Sequence, residues 1–207
     1  MAYRERRDEL VDALRAREDL SAATEAAMRA TPRHEFVPED RREAAYRDSP
    51  LPIGAGQTIS APHMVAIMTD LLDCASGDRV LEIGTGCGYH AAVTAEVVGA
   101  DNVYSVEYEA ELAERARETL AATGYGAVSV REGDGRQGWA EHAPYDAAYL
   151  TCAADAFPLA VVVQVRPGGV LLGPLRDGRQ FLVRAVKGED GTLDRERHGA
   201  VRFVPLQ

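Results

Sequence analysis

Lysine is almost missing from this 207-residue chain: Lys187 stands alone among 23 basic residues, and all the others are arginine. Against them stand 33 acidic residues, for a formal net charge of −10, which argues against a general nucleic-acid or membrane-surface binder because phosphate-rich partners would be repelled. An excess of carboxylates with so little lysine suits a salt-rich cytoplasm, where screening relieves self-repulsion; a GC-rich genome favouring arginine codons gives the same composition. Cysteine is scarce too. Cys74, Cys87 and Cys152 lie far apart with no paired spacing, which argues against a disulfide framework or a zinc site and fits a reducing cytosol. No run approaches the roughly 18 apolar residues of a membrane span. The N-terminus, Met1-Ala2-Tyr3-Arg4-Glu5-Arg6-Arg7, is charged with no apolar core behind it, so the chain reads as a soluble, unexported, cytoplasmic protein. Also lacking are a Gly-Lys-Ser/Thr phosphate loop, a Ser-His-Asp set, a cysteine–histidine pair, internal repeats and low-complexity tracts.

What is present centres on Val80-Leu81-Glu82-Ile83-Gly84-Thr85-Gly86-Cys87-Gly88-Tyr89. A short apolar run ends in a turn with glycine at alternate positions and passes into a helical stretch. That is how a buried parallel strand enters a nucleotide-binding turn, although an ordinary strand-to-helix connection has the same outline. The spacing is Glu-x-Gly-x-Gly-x-Gly, not the Gly-x-Gly-x-x-Gly of hydride-transfer enzymes.

Around this stretch the alternation is regular. Strands are predicted at Val80–Ile83, Val103–Glu107, Val128–Arg131 and Tyr145–Leu150, with helices at Tyr89–Val98, Ala110–Thr123 and near Phe157–Val165. Strands alternating with helices imply right-handed crossovers and a mostly parallel, doubly wound α/β sheet. After Pro167-Gly168-Gly169 the style changes: Val170–Leu172, Phe181–Val186 and Ala200–Pro205 read as strands joined by turns, an antiparallel edge. Before the sheet, residues 4–30 are helix-favouring, Phe36-Val37-Pro38 reads as an apolar hook, and the segment Asp48 to Gly56 reads as irregular because of its prolines and glycines. From Met64, the spacing Met64, Ile67, Met68, Leu71, Leu72 predicts a helix with one buried stripe, with Ser60 placed as its N-cap. The length fits one domain: residues 1–77 an N-terminal helical covering segment, 78–175 a ligand-binding core, 176–207 closing antiparallel strands.

In an open α/β sheet, ligands bind beyond the carboxyl ends of the strands, so Gly84–Gly88, Glu107, Gly133-Asp134 and Thr151–Asp155 should converge. Glu107, about 19 residues past Gly88, stands where a carboxylate accepts ribose hydroxyls; it also suits a solvated strand end. Asp134 could accept an adenine amino group or simply make a turn.

This order of elements resembles the class I S-adenosylmethionine-dependent methyltransferases, which share a Rossmann-like fold. More narrowly, the chain is similar to the protein-L-isoaspartate O-methyltransferases from about Pro32 to Leu206. The most specific block is Gly56-Gln57-Thr58-Ile59-Ser60-Ala61-Pro62-His63-Met64. It is joined by the glycine block, by Gly133-Asp134-Gly135-Arg136-Gln137-Gly138, by Ala143-Pro144-Tyr145-Asp146-Ala147 and by Val201-Arg202-Phe203-Val204-Pro205-Leu206. The resemblance implies methyl transfer from S-adenosylmethionine, leaving S-adenosylhomocysteine, to the α-carboxylate of isoaspartyl residues in aged proteins. The ester then collapses to a succinimide, whose hydrolysis returns some chains to normal aspartate.

The resemblance further implies Ser60 as the active-site residue, and a cofactor seat of Gln57, Thr58, Ile59, His63, Glu82, Gly84, Thr85, Gly86, Gly88, Glu107, Gly133 and Asp134. Ser60, Ala153, Ala154 and Val204 would meet the substrate; no metal is implied, and a monomer acting on isoaspartyl proteins is expected. For Ser60, a plain helix cap and a carboxylate-orienting hydroxyl both remain open, and both can coexist. Two departures stand out. Cys87 replaces a common serine, and Asp155 stands where the family usually has proline; it would face the substrate, altering acceptor choice, or cap a helix from Ala156. Two other functions remain: a relative methylating an ordinary aspartate of a dedicated peptide or a small-molecule carboxylate, and a silent S-adenosylmethionine-binding protein.

Overall fold

A computed structural model describes residues 2–207; Met1, the first residue of the expected domain, lies outside them. The charged N-terminal stretch forms two helices, α1 (Tyr3–Arg15) and α2 (Ala22–Ala30). Ser21 separates them as the N-cap of α2, its hydroxyl accepting the Thr24 amide. The hook packs as expected: Phe36 and Val37 are buried, and the Phe36 ring meets Tyr89 edge-on at 5.7 Å.

The segment read as irregular contains a hairpin instead. Strands β1 (Leu51–Gly54) and β2 (Gln57–Ile59) pair antiparallel, and Ala55 and Gly56 turn between them with φ of 49° and 72°. Pro52 is tolerated because a two-stranded ribbon is all edge, so a missing N–H interrupts no inner ladder. Helix α3 (Pro62–Leu72) follows. Its buried side is Val65, Ala66, Met68, Thr69 and Leu72, while Met64, Ile67 and Leu71 are only partly covered, so the stripe is rotated from the expected one. Its N-cap is Ala61, not Ser60.

From there the alternation holds: β3 (Val80–Ile83), α4 (Tyr89–Val98), β4 (Val103–Glu107), α5 (Ala110–Ala122), β5 (Ser129–Glu132), β6 (Tyr145–Leu150), α6 (Leu159–Gln164), β7 (Val165–Asp177), β8 (Arg179–Lys187) and β9 (Leu193–Val201). The helix expected from Phe157 starts late because Pro158 occupies its N-cap. The last strand lies earlier than expected, since the turn closed by Gly188 N to Thr192 O (2.8 Å) brings the chain back from Leu193. The tail beyond β9 is a separate pass, in which Pro205 bridges Ala153 in parallel.

One seven-stranded sheet carries the molecule, in the order β5-β4-β3-β6-β7-β8-β9. Strands β5 to β7 in that row are parallel, and β8 runs antiparallel to both neighbours. Every residue of β3 is buried, and period-two geometry sends its side chains to opposite layers. Val80 joins Val103, Tyr149 and Leu172 beneath the N-terminal helices and α4. Leu81 and Ile83 join Val106, Leu150 and Leu171 beneath Val161 and Val162 of α6. Each such side chain contributes about 1.5–3 kcal/mol by burial. Strand order reverses at β3, which has β4 on one side and β6 on the other, so a crevice opens beyond their carboxyl ends.

Candidate functional site

That crevice forms a cleft open to solvent. Its walls come from Gln57–Ser60, the loop Gly84–Cys87, Glu107 and Tyr108, Gly135, Thr151 and Cys152, and the tail Val204 to Gln207.

The glycine loop is shaped by what its neighbours leave no room for. Gly84 has φ of +97°, and a Cβ there would collide with the Thr151 hydroxyl, which itself donates to the Gly84 carbonyl at 2.5 Å. Gly88 works differently: as the N-cap of α4 it lies 3.1 Å, measured from where a Cβ would stand, from Leu120 of α5, and it does not line the cleft. The spacing thus serves backbone exposure at Gly84 and Gly86 and helix packing at Gly88.

Glu107 is 6% exposed and is held by the loop: its Oε2 accepts the Gly86 amide at 2.8 Å and its Oε1 the Glu109 amide at 3.0 Å. A carboxylate offers about four lone-pair sites, so two remain for ligand hydroxyls. Glu82, also expected at the cofactor, lies beneath the loop and is fully buried. Ser105 Oγ donates to it at 2.5 Å and Tyr149 OH at 2.7 Å, while Ser105 also meets Thr85 Oγ1 at 2.5 Å. Burial pushes the Glu82 pKa up to about 8; those two hydrogen bonds oppose the rise and the Glu107 charge adds to it. Glu82 is therefore protonated at neutral pH and braces Thr85, a cleft residue, from below.

Ser60 lines the cleft and makes no hydrogen bond within the chain among the described residues. Its expected capping role is taken elsewhere. Pro62, the first residue of α3, has no N–H, and the next amide, His63 N, donates to Asp48 Oδ1 at 2.9 Å. The same oxygen lies 2.8 Å from His63 Nδ1, so the histidine is engaged by Asp48 and is not among the cleft-lining residues. Gln57, Thr58 and Ile59, which the resemblance assigns to the cofactor seat, line the cleft.

Gly133 and Asp134 lie just outside the lining. Gly133 N donates to the Glu107 carbonyl, and Asp134 caps a short turn by accepting Arg136 N at 2.9 Å; Gly135 is the residue that reaches the cleft. Val204 lines it, whereas Ala153 and Ala154 form the wall behind: Ala153 N donates to Val204 O (2.7 Å), Leu206 N to Ala153 O (2.8 Å), and Ala154 N to Pro174 O (3.1 Å). Asp155 neither caps a helix nor stands unbalanced, because Arg176 pairs with it at 3.2 Å.

Sequence reasoning missed several cleft residues. Tyr108, 54% exposed, follows Glu107 directly, and an aromatic there was a readable signal for a base-stacking face. His90, in the first turn of α4, had no such signal. It is buried, its Nδ1 has no partner, and burial pushes its pKa down to about 3, so it is neutral. Among the described residues no group of His, Cys, Asp or Glu is arranged to hold a metal ion, and no helix is long and apolar enough to cross a membrane.

Residues 5–207 match the family model described as Protein-L-isoaspartate(D-aspartate) O-methyltransferase. The chain is 52% identical over 208 residues to a protein of Archaeoglobus fulgidus named protein-L-isoaspartate O-methyltransferase 2, covering 100% of this chain and 95% of that one. A Methanopyrus kandleri protein-L-isoaspartate O-methyltransferase is 50% identical, with 99% and 92% covered. A solved protein-L-isoaspartate O-methyltransferase superposes with a TM-score of 0.88 at 30% identity over 96% of this chain, which spans 65% of the length of that one. A further structure, of a Plasmodium falciparum protein in complex with S-adenosyl-L-homocysteine, shares the fold with a TM-score of 0.84 at 23% identity, covering 97% and 98%.

Proposed function

The chain belongs to the protein-L-isoaspartate(D-aspartate) O-methyltransferase family, and from that premise we propose that it methylates the α-carboxylate of L-isoaspartyl residues in damaged proteins and peptides, using S-adenosylmethionine. The observation that carries this reading is the meeting in one cleft of the Gly84–Cys87 loop, the braced Glu107 and the unpartnered Ser60 hydroxyl.

The residues present fit the cofactor. Gly84, where a Cβ would meet the Thr151 hydroxyl, brings the loop backbone to the cleft wall, Glu107 has lone pairs free for ribose hydroxyls, and Tyr108 offers a flat face for a base. Bound there, S-adenosylmethionine supplies a methyl group on a cationic sulfonium, open to in-line displacement by a carboxylate.

The acceptor carboxylate is already anionic near neutral pH, so no residue of the chain has to remove a proton. Ser60 donates its hydroxyl to that carboxylate and orients it. Gln57, Thr58 and Ile59 close over the reacting groups, and Val204 to Leu206 form the opposite rim, which narrows access of water. Catalysis then rests on positioning. We read the chain as one domain, with 1–77 covering the site, 78–175 holding the cofactor and 176–207 closing the sheet. It works as a cytoplasmic monomer without nucleic-acid partners, its acidic surface suited to a salt-rich interior.

The test uses labelled S-adenosylmethionine and matched peptides bearing isoaspartate or aspartate, at low and molar salt. Label on the isoaspartyl peptide alone is the expected result. Label on neither peptide, with cofactor binding measured in the same sample, overturns the proposal.

A further inference from the structure

The N-terminus of α3 lacks every local means of satisfying its first free amide. Its N-cap is Ala61, which has no side-chain acceptor; its first residue is Pro62; and its first turn contains no acidic residue. Asp48, 15 residues upstream, supplies the acceptor: one oxygen takes His63 N at 2.9 Å and lies 2.8 Å from His63 Nδ1, while the other takes Arg17 at 2.8 Å. The carboxylate is only 20% exposed, so these bonds are poorly screened by solvent.

We propose that Asp48 is a positioning residue for methyl transfer: by capping α3 from a distance and pinning the His63 ring, it leaves the Ser60 hydroxyl uncommitted and aimed at the acceptor carboxylate. A serine recruited as the local cap would spend its oxygen on a backbone amide and turn away from the cleft. The device solves that conflict by assigning the cap to another part of the chain. It also ties the catalytic loop to the α1–α2 connection, since Arg17 fixes the far side of the same carboxylate. Burial raises the Asp48 pKa, but its bonds to His63 and Arg17 outweigh that, and the net shift is downward, so the acceptor stays ionised through the neutral range.

The inference rests on the reading of Ser60 given above, and a double-mutant cycle separates the two. Asp48→Ala, Asp48→Asn, Ser60→Ala and both double variants are assayed for kcat and KM on an isoaspartyl peptide, with S-adenosylhomocysteine affinity measured by calorimetry. Misplacing a positioned group by an ångström costs about a hundredfold, so Asp48→Ala is expected to lower kcat by about ten- to a hundredfold. Asn, which keeps one acceptor, lowers it by roughly a tenth to a third as much. Cofactor affinity stays within about twofold, and in the Ser60→Ala background each Asp48 substitution changes kcat by less than about twofold. Should Asp48→Ala not fold, the Asn variant carries the same cycle on the smaller effect.

Ala61→Ser, which places a hydroxyl at the N-cap itself, is expected to restore part of the kcat lost in Asp48→Ala, an effect that a generic packing role would not produce. Unchanged kcat in the Asp48 variants while Ser60→Ala is impaired overturns the inference and leaves the Ser60 reading standing. Full activity in Ser60→Ala overturns that reading and the inference with it. Undiminished Asp48 effects in the Ser60→Ala background overturn the inference alone.

Discussion

The Oε2 atom of Glu107 accepts the backbone amide of Gly86 at 2.8 Å, so the carboxylate at the end of β4 and the turn at the end of β3 hold each other in place. The interaction crosses 21 positions of chain and joins two neighbouring strands of the sheet at the mouth of the cleft. A carboxylate held this way has lost its rotamer freedom before any ligand arrives, which lowers the ordering cost of binding.

Glu107→Gln should therefore weaken S-adenosylhomocysteine binding by about ten- to a hundredfold, since hydrogen bonds to a charged acceptor are worth about 1.5–3 kcal/mol. The amide can present only one oxygen, whereas Gly86 N and Glu109 N each require one. Isothermal calorimetry is the check, and affinity within twofold of wild type would remove Glu107 from the seat.

Gly84→Ala carries two penalties, a φ of +97° and a collision with the Thr151 hydroxyl. Urea denaturation should show a loss of about 2–4 kcal/mol from strain and overpacking together. Thr151→Ala in the same chain removes the collision and leaves the backbone strain, so the double variant should recover about half the loss. No recovery would mean that the loop is limited by φ alone.

Stability should fall with rising pH through a window set by Glu82. The unfolded chain releases this proton near 4.5, whereas the folded chain keeps it up to about 8. Between those values the folded state binds more protons, so the contribution is fully present below about pH 4.5 and is lost as pH rises through 8. Glu82→Gln, which cannot titrate, should flatten the decline in Tm between pH 5 and 8. An identical slope in both proteins would assign the pH dependence to other groups.

Gln180 clamps the tail from β8: its Nε2 donates to Phe203 O at 3.1 Å, and its Oε1 accepts Phe203 N at 2.6 Å. Gln180→Ala should speed amide exchange at Phe203 and Leu206 and raise KM for isoaspartyl peptides several-fold, because Val204 to Gln207 line the cleft. The cofactor seat lies on β3 and β4, so S-adenosylhomocysteine affinity should hardly change. Unaltered exchange at Phe203 would show the tail to be held by Ala153 alone.

Much of this arrangement was legible beforehand because it is written in local periodicity. The strands Val80–Ile83, Val103–Glu107 and Tyr145–Leu150 were bounded as they stand, since buried parallel strands are short apolar runs closed by turn residues. Elements were misplaced where contacts distant in sequence override local preference. Pro52 suggested irregular chain, yet it sits in an edge ribbon. Ser60 looked like a cap, yet the cap is Asp48, and no local pattern announces an acceptor 15 residues away. Glu82 and Glu107 both end or nearly end strands as acidic residues and share one face of the sheet, but Glu107 lies two residues beyond Ser105, the partner of Glu82, so one sits beneath the loop and the other at the cleft.

By itself the sequence determined the alternation of strands and helices, the parallel sheet and the glycine turn, because those follow from side-chain period and backbone freedom within a few residues. It also carried the blocks that tie the chain to its family. Only the tertiary structure decided which residues of those blocks face the cleft. That choice depends on burial and on hydrogen-bond partners supplied from elsewhere in the chain: Gly86 for Glu107, Ser105 and Tyr149 for Glu82, Asp48 for His63. A polar group removed from water must find such a partner, and which one it finds is settled only when the chain has folded.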